Sequence, residues 1–149
     1  MAEIDLESSD PAAIYAAVAN ADERAFTELM DDPASRERVV EAMVSHMAEL
    51  FRPEQAGDLE AVIHIKLWDR PGGGYDHYEL SIAAGACSMS APPTSEDPDL
   101  TIKVRPGDLR DLVTGDAKAQ WLALKGRLRV LGDLRLGMRL PDLFDFDRG

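Results

Sequence analysis

The strongest constraint in this chain is a change of hydrophobic period around Pro53. Before it, after the helix-start signal Asp32-Pro33, the residues Val39, Val40, Met43, Val44, Met47, Leu50 and Phe51 recur at helical spacing. Glu37, Glu41, Ser45 and Glu49 form the wet side of that helix, and Arg52-Pro53 ends it. After the polar break 53–58, Leu59, Ala61, Ile63, Ile65 and Leu67 alternate with Glu60, Val62, His64, Lys66 and Trp68, the pattern of a half-buried strand.

A Pro-Gly-Gly-Gly turn region, 69–74, leads into a second alternating run with Tyr78, Leu80 and Ile82 on one side and His77, Glu79 and Ser81 on the other. Setting Trp68 against Tyr75 places Ile65 opposite Tyr78, Ile63 opposite Leu80 and Ala61 opposite Ile82. Apolar then meets apolar along the whole inner face, so the pair reads as a hairpin in one defined register. A third short strand carries Cys87 and Met89, and a fourth carries Leu100, Ile102 and Val104.

Pro106 opens a helix with Leu109, Leu112 and Val113; Asp116 caps another with Ala117, Trp121 and Leu124. Residues 127–131 alternate again as a fifth strand, with Leu128 and Val130 against Arg127 and Arg129. Gly132-Asp133 starts a last helix along Leu136, Leu140, Leu143 and Phe144, with Leu134 and Met138 beside that stripe. At the other end, Asp10-Pro11 and Asp22-Glu23 start two short helices. The predicted fold is α+β, a five-stranded, mostly antiparallel sheet covered on one face by helices. Residues 1–32 form an acidic helical N-terminal extension to a domain spanning 33–146.

The 149 residues suit one domain. Acids outnumber bases 28 to 16, giving a net charge of −12, which opposes attraction to phosphate backbones and argues against a nucleic-acid partner. Residues 1–60 hold 15 Asp and Glu against 4 Lys and Arg, so the acidity is concentrated early. The single cysteine, Cys87, cannot make an intrachain disulfide or a multi-cysteine zinc site. The acidic N-terminus lacks the features of a secretory leader, so a cytoplasmic location is expected.

Candidate chemistry is sparse. Cys87 sits among small residues on an inner strand face and reads as core, and the glycine turn joins antiparallel strands rather than opening a phosphate-binding helix. His64 faces Glu79 and Lys66 faces His77 across the hairpin. That cluster is read as a solvated pair on a wet sheet face, with a catalytic or metal site as the alternative. His46 lies alone on its helix and reads as solvent-facing. No catalytic residue, metal ligand or cofactor is assigned.

Met43, Met47, Met89, Trp121 and Met138 would converge on the covered face, where they form either a plain core or an adaptable ligand cavity. Lys125, Arg127, Arg129, Arg135 and Arg139 fall within fifteen positions and would form either a solvated face or a contact with an anionic membrane.

The run Pro98-Asp-Leu-Thr-Ile-Lys-Val, then Asp108-Leu with Leu112 and Gly115, then Trp121 and Lys125-Gly-Arg-Leu-Arg-Val-Leu-Gly-Asp, then 134–140, resembles the sterol carrier protein 2 family. The resemblance covers about residues 36–146 and is most specific over 98–140. It implies a five-stranded sheet whose helices enclose an apolar tunnel for fatty acids, acyl-CoA, sterols or other lipids, used for binding or transfer without a covalent step.

The resemblance raises the cavity reading above the plain core, and the expected ligand-binding set is Met43, Met47, Leu80, Met89, Ile102, Leu112, Trp121, Leu124, Met138 and Leu140. Two features depart from the family pattern: Gly137 and Pro141 would loosen and shorten the closing helix. The ending Asp147-Arg-Gly is not the peroxisomal Ser-Lys-Leu, and the Ala/Asp/Arg-rich composition points to a bacterial chain. The alternatives are an enzyme on the same shell acting on a hydrophobic biosynthetic intermediate, and an interaction module with a filled core.

Overall fold

The computed structural model describes residues 10–146, so the start of the expected N-terminal extension, before Asp10, and the ending Asp147-Arg-Gly lie outside the described residues. The elements run α1 (Pro11–Ala19), α2 (Glu23–Asp31), α3 (Pro33–Glu49), α4 (Pro53–Ala56), β1 (Ala61–Leu67), β2 (Asp76–Ala83), β3 (Ala86–Ser90) and β4 (Leu100–Val104), then α5 (Pro106–Val113), α6 (Ala119–Leu124), β5 (Leu128–Gly132) and α7 (Leu134–Leu143). Three aspartates start the first three helices as the sequence suggests. Asp10 accepts from the Ala12 amide, Asp22 from Ala25, and Asp32 from both the amide and hydroxyl of Ser35. Among the described residues no helix is long and apolar enough to cross a membrane.

The strands form one sheet in the order β3-β2-β1-β4-β5. β1 and β2 pair antiparallel with Ala61 opposite Ile82, Ile63 opposite Leu80 and Ile65 opposite Tyr78, the register that the alternation dictates. Trp68 and Tyr75 meet edge to face just beyond the ladder, ring centres 5.3 Å apart. β2–β3 and β4–β5 are also antiparallel, whereas β1–β4 is parallel. Inward-facing Ile63, Ile65, Leu67, Leu80, Ile82, Leu100, Ile102 and Val104 are buried, with Val39, Val40, Met43, Val44 and Met47 of α3 in the same core. α1 and α2 contribute Ile14, Tyr15, Val18, Phe26 and Met30 to it.

Arg36 locks the helical layer to the hairpin. The side chain is 2% exposed, and its Nε donates to Asp76 Oδ2 at 2.6 Å. Its terminal nitrogens donate to the backbone carbonyls of Asp69 (3.0 Å), Leu67 (3.3 Å) and Trp68 (2.7 Å). A planar five-donor fork satisfies this acceptor set in a way that an ammonium cannot.

A second lock explains the family-like Pro-Asp and Gly-Asp pairs. The Asp99 amide donates to the Val62 carbonyl, its carboxylate accepts the Val62 amide at 2.8 Å, and its carbonyl accepts from the Asp133 amide at 2.9 Å. Gly132 sits at φ +110°, where a Cβ would lie 2.5 Å from that same Asp99 carbonyl oxygen. Only glycine fits. Asp133 then caps α7 by accepting from the amides of Arg135 and Leu136.

Several local expectations need correction. The polar break contains the short helix α4, and Pro53 is its first residue. α6 begins at Ala119 with Lys118 at the cap, later than Asp116 suggests. Pro141 does not cut α7 short; the helix continues to Leu143. Gly137 does not loosen it either: a Cβ there would lie 2.9 Å from Val130 Cγ1, so the missing side chain lets α7 sit close on β5. His46 does not face solvent alone; its ring stacks on Tyr15 at 3.6 Å between centres.

Replacing Arg36 by methionine keeps the apolar stem but leaves the nearly buried Asp76 carboxylate and three carbonyls without their donor. The expected loss is about 3–5 kcal/mol of stability in urea denaturation, as for a broken buried ion pair. Arg36→Lys is expected to recover only part of it.

Candidate functional site

β5 and the two helices around it build an apolar groove. Strand alternation turns Leu128 and Val130 toward the helices, opposite Val104 and Ile102 of β4. Ala119 and Ala123 stand one turn apart on α6, as do Gly137 and Pro141 on α7. The two alanines have little side-chain reach, so α6 does not close over the strand, while α7 comes close to β5 only at Gly137. The hollow that remains measures about 470 Å³ and is completed by Gln120, Leu134, Met138 and Leu140. Gln120 supplies the polar side chain of the lining, and none of the lining residues is titratable. Leu134 is 69% exposed and Met138 81%, so the rim is greasy as well.

The ten residues expected to bind ligand do not converge in one place. Met138 and Leu140 line the groove. Met43, Met47, Leu80, Ile102 and Leu112 are buried in the closed core. Met89 is half-buried on β3, where the Ser45 hydroxyl donates to its sulfur at 3.5 Å. Trp121 and Leu124 lie exposed on α6, outside the groove lining, with the Arg127 guanidinium over the Trp121 ring. The small residues of α6 and α7 and the apolar side of β5 were the missing signal. Bulky side chains attract attention as ligand contacts, whereas a cavity is made where side chains are short.

The polar face of the hairpin differs from its expected solvated state. His64 and Glu79 are buried, 3% and 1% exposed, because residues 91–98 fold over them. Glu79 pairs with His64 at 3.1 Å, and accepts from the Thr94 hydroxyl at 2.6 Å and the Ser95 amide at 3.0 Å. The other ring nitrogen of His64 meets His77 Nε2 at 2.9 Å.

Burial pushes the Glu79 carboxyl upward, but the hydrogen bonds from Thr94, Ser95 and His64 outweigh it and bring it down to about 2. His77 is held below the ordinary imidazole range, by burial first and then by the neighbouring His64 and Lys66; Glu79 opposes them. Among the described residues no group of three or more His, Cys, Asp or Glu is arranged to hold a metal. Burial pushes the Cys87 thiol up to about 12, which leaves it inert at neutral pH.

The five late basic residues do not form one patch either. Arg127, Arg129 and Lys125 border a cleft on the side of β5 opposite the groove, whereas Arg135 and Arg139 ride on α7. Arg139 donates to the Gln55 carbonyl at 3.0 Å.

The model of the SCP-2 sterol transfer family matches residues 45–145, about two thirds of the chain. The chain belongs to that family. No curated protein matches it. Its fold resembles the crystal structure of sterol carrier protein 2-like 2 from Aedes aegypti, with a TM-score of 0.55 and 14% identity over 70% of this chain and 95% of that one. The palmitated form of that mosquito protein gives 0.53 and 13% over 69% and 88%. A stereoselective inverting sec-alkylsulfatase from Pseudomonas sp. gives 0.57 and 12% over 91% of this chain, which spans only 24% of the sulfatase. At these identities the likeness is one of fold. The five-stranded sheet and α+β architecture stand as the sequence predicted.

The Glu79 cluster predicts acid sensitivity. A carboxylate whose folded pKa is depressed contributes stability that is fully present above its unfolded value near 4.5 and is lost as pH falls toward about 2. The lowered His77 acts in the same direction, because the fold holds its neutral form while the unfolded chain takes up the proton below about pH 6.5. Thermal midpoints are expected to fall on acidification through both ranges. Glu79→Gln should flatten the lower one, and His77→Gln the upper.

Proposed function

We propose that this chain binds one hydrophobic ligand, a fatty acid, acyl-CoA, sterol or similar lipid, in the groove between α6, β5 and α7, and carries it without covalent chemistry. The carrying observation is the apolar hollow of about 470 Å³ with a nearly wholly apolar lining. That volume lies within the roughly 300–1,000 Å³ typical of small-molecule pockets. Covering ten methylenes gains roughly 8 kcal/mol before ordering costs, so micromolar affinity requires most of an acyl chain to be covered. Gln120 is positioned to hydrogen-bond a polar end of the ligand.

Membership of the SCP-2 sterol transfer family supports the lipid reading, as does the palmitated form of the mosquito neighbour that shares this fold. The enzymatic alternative gains nothing from this groove. A proton-transfer step needs a titratable group in reach, and the imidazoles of His64 and His77 lie on the sheet's other face. Exchange with a membrane would take place at the exposed rim of Leu134 and Met138, with Arg135 and Arg139 on the same helix to meet anionic headgroups.

Displacement of a fluorescent fatty acid tests the proposal. Wild-type protein is expected to release the probe saturably when challenged with unlabelled lipid. Met138→Glu and Leu134→Glu, both at exposed positions, should weaken binding about tenfold or more by placing a charge at an apolar site. Leu131→Glu, on the opposite side of the same strand, should leave binding unchanged. Equal affinity in all four proteins would locate the lipid elsewhere or nowhere.

A further inference from the structure

The face of the sheet turned away from the groove carries a row of basic residues in register. Arg129 of β5 stands opposite Lys103 of β4, Lys103 beside Lys66 of β1, and Lys66 opposite His77 of β2. Neighbouring strands lie about 4.8 Å apart, so the cations Lys66, Lys103 and Arg129 repel one another across their pairs. A chain with net charge −12 and only four lysines has placed two of them side by side here. Both ammonium groups are held by aromatic faces, Lys66 Nζ 4.8 Å from the Tyr75 ring centre and Lys103 Nζ 5.4 Å from that of Trp68.

At the β5 end the row opens into a cleft of about 550 Å³ bordered by Trp68, Lys103, Arg105, Lys125, Arg127 and Arg129. Two carboxylates share it. Asp69 pairs with Arg105 at 3.0 Å, and Asp108 lies 4.0 Å from Arg127. Five cations against two carboxylates leave a local surplus of three positive charges, on Lys103, Lys125 and Arg129. These come from β4, from the turn after α6 and from β5, and they face one concave space. A single carboxylate would leave most of that charge unanswered.

We propose that this cleft binds a multiply charged phosphate group, carried by a soluble phosphorylated small molecule. Guanidinium and ammonium groups on three segments match the several oxygens of such an anion, and arginine forks bind them in pairs. The site lies across β5 from the lipid groove and does not depend on that reading. An extended nucleic acid does not suit it, because the chain beyond the cleft is acidic and would repel the rest of the polymer. A flat membrane suits it less than a small anion, because lysines already occupy faces of the Trp68 and Tyr75 rings.

Trp68 provides the readout. The chain has two tryptophans, so Trp121→Phe leaves Trp68 as the sole indole. In that background inorganic tripolyphosphate is expected to change Trp68 emission saturably, and the combined variant Lys103→Glu/Arg129→Glu to weaken binding about tenfold or more. Arg129→Glu alone, at an exposed edge-strand position, is expected to show a smaller loss and keeps the test valid if the double variant does not fold.

Arg24→Glu, a charge reversal on exposed α2, should change the affinity less than about twofold. Vesicles of phosphatidylcholine with phosphatidic acid form the second arm. Binding to tripolyphosphate alone marks a soluble source. Vesicle binding that disappears in Arg129→Glu marks a lipid headgroup as the source of the same phosphate. No saturable response to either probe, or a response that Arg24→Glu weakens as much as Arg129→Glu, overturns the proposal.

Discussion

The guanidinium of Arg36 is the tie on which the arrangement of the two layers depends. It is a buried charge, and burying a charge is costly unless every donor finds an acceptor. Here Asp76 and three consecutive carbonyls supply them, all from the end of β1, the start of β2 and the turn between them. Hydrophobic packing alone would let α3 slide along the sheet, since apolar contacts are not directional. The Arg36 fork allows one position. It fixes the backbone at Leu67, Trp68 and Asp69, and so places both the Trp68 ring and the Asp69 carboxylate at the edge of the cationic cleft.

β5 is where the fold turns architecture into two different surfaces. It is an edge strand, paired on one side only, with β4. Its alternation sends Leu128 and Val130 to the helices and Arg127 and Arg129 to the open face. A pleated strand with a period of two separates a greasy wall from a charged one by a single residue step. Gly132 and Asp133 end it against Asp99, and that closure sets both where β5 stops and where α7 begins.

Most of this fold was legible in the chain because its information is local. The β1–β2 register followed from matching apolar faces, and three helix starts followed from an aspartate placed to cap them. The errors have a common cause as well. Alternation tells which residues share a face of a strand, not what lies above that face, so His64 and Glu79 looked wet until residues 91–98 were seen to cover them. Arg36 reads as one more charged residue on a helix, and nothing nearby in sequence announces Asp76, forty positions on. The groove was half legible: Met138 and Leu140 belong to a visibly apolar helix, but the emptiness comes from the short side chains of Ala119 and Ala123, which carry no such signal.

The same short side chains determine how the groove can change shape. α7 is held at its start by the Asp133 cap and the bond from the Asp133 amide to Asp99, and just beyond its end by the Phe144–Phe51 bridge. Between these ends Gly137 brings it close against Val130, with no side chain to act as a spacer. Pro141 lacks the amide that would bond back to the Gly137 carbonyl, so the helix is least stiff where it borders the hollow. On the proposed reading, a guest larger than the present volume would bow the middle of α7 outward, with Met138 leading. The sheet, fixed by Arg36 at one place and Asp99 at another, would stay as it is.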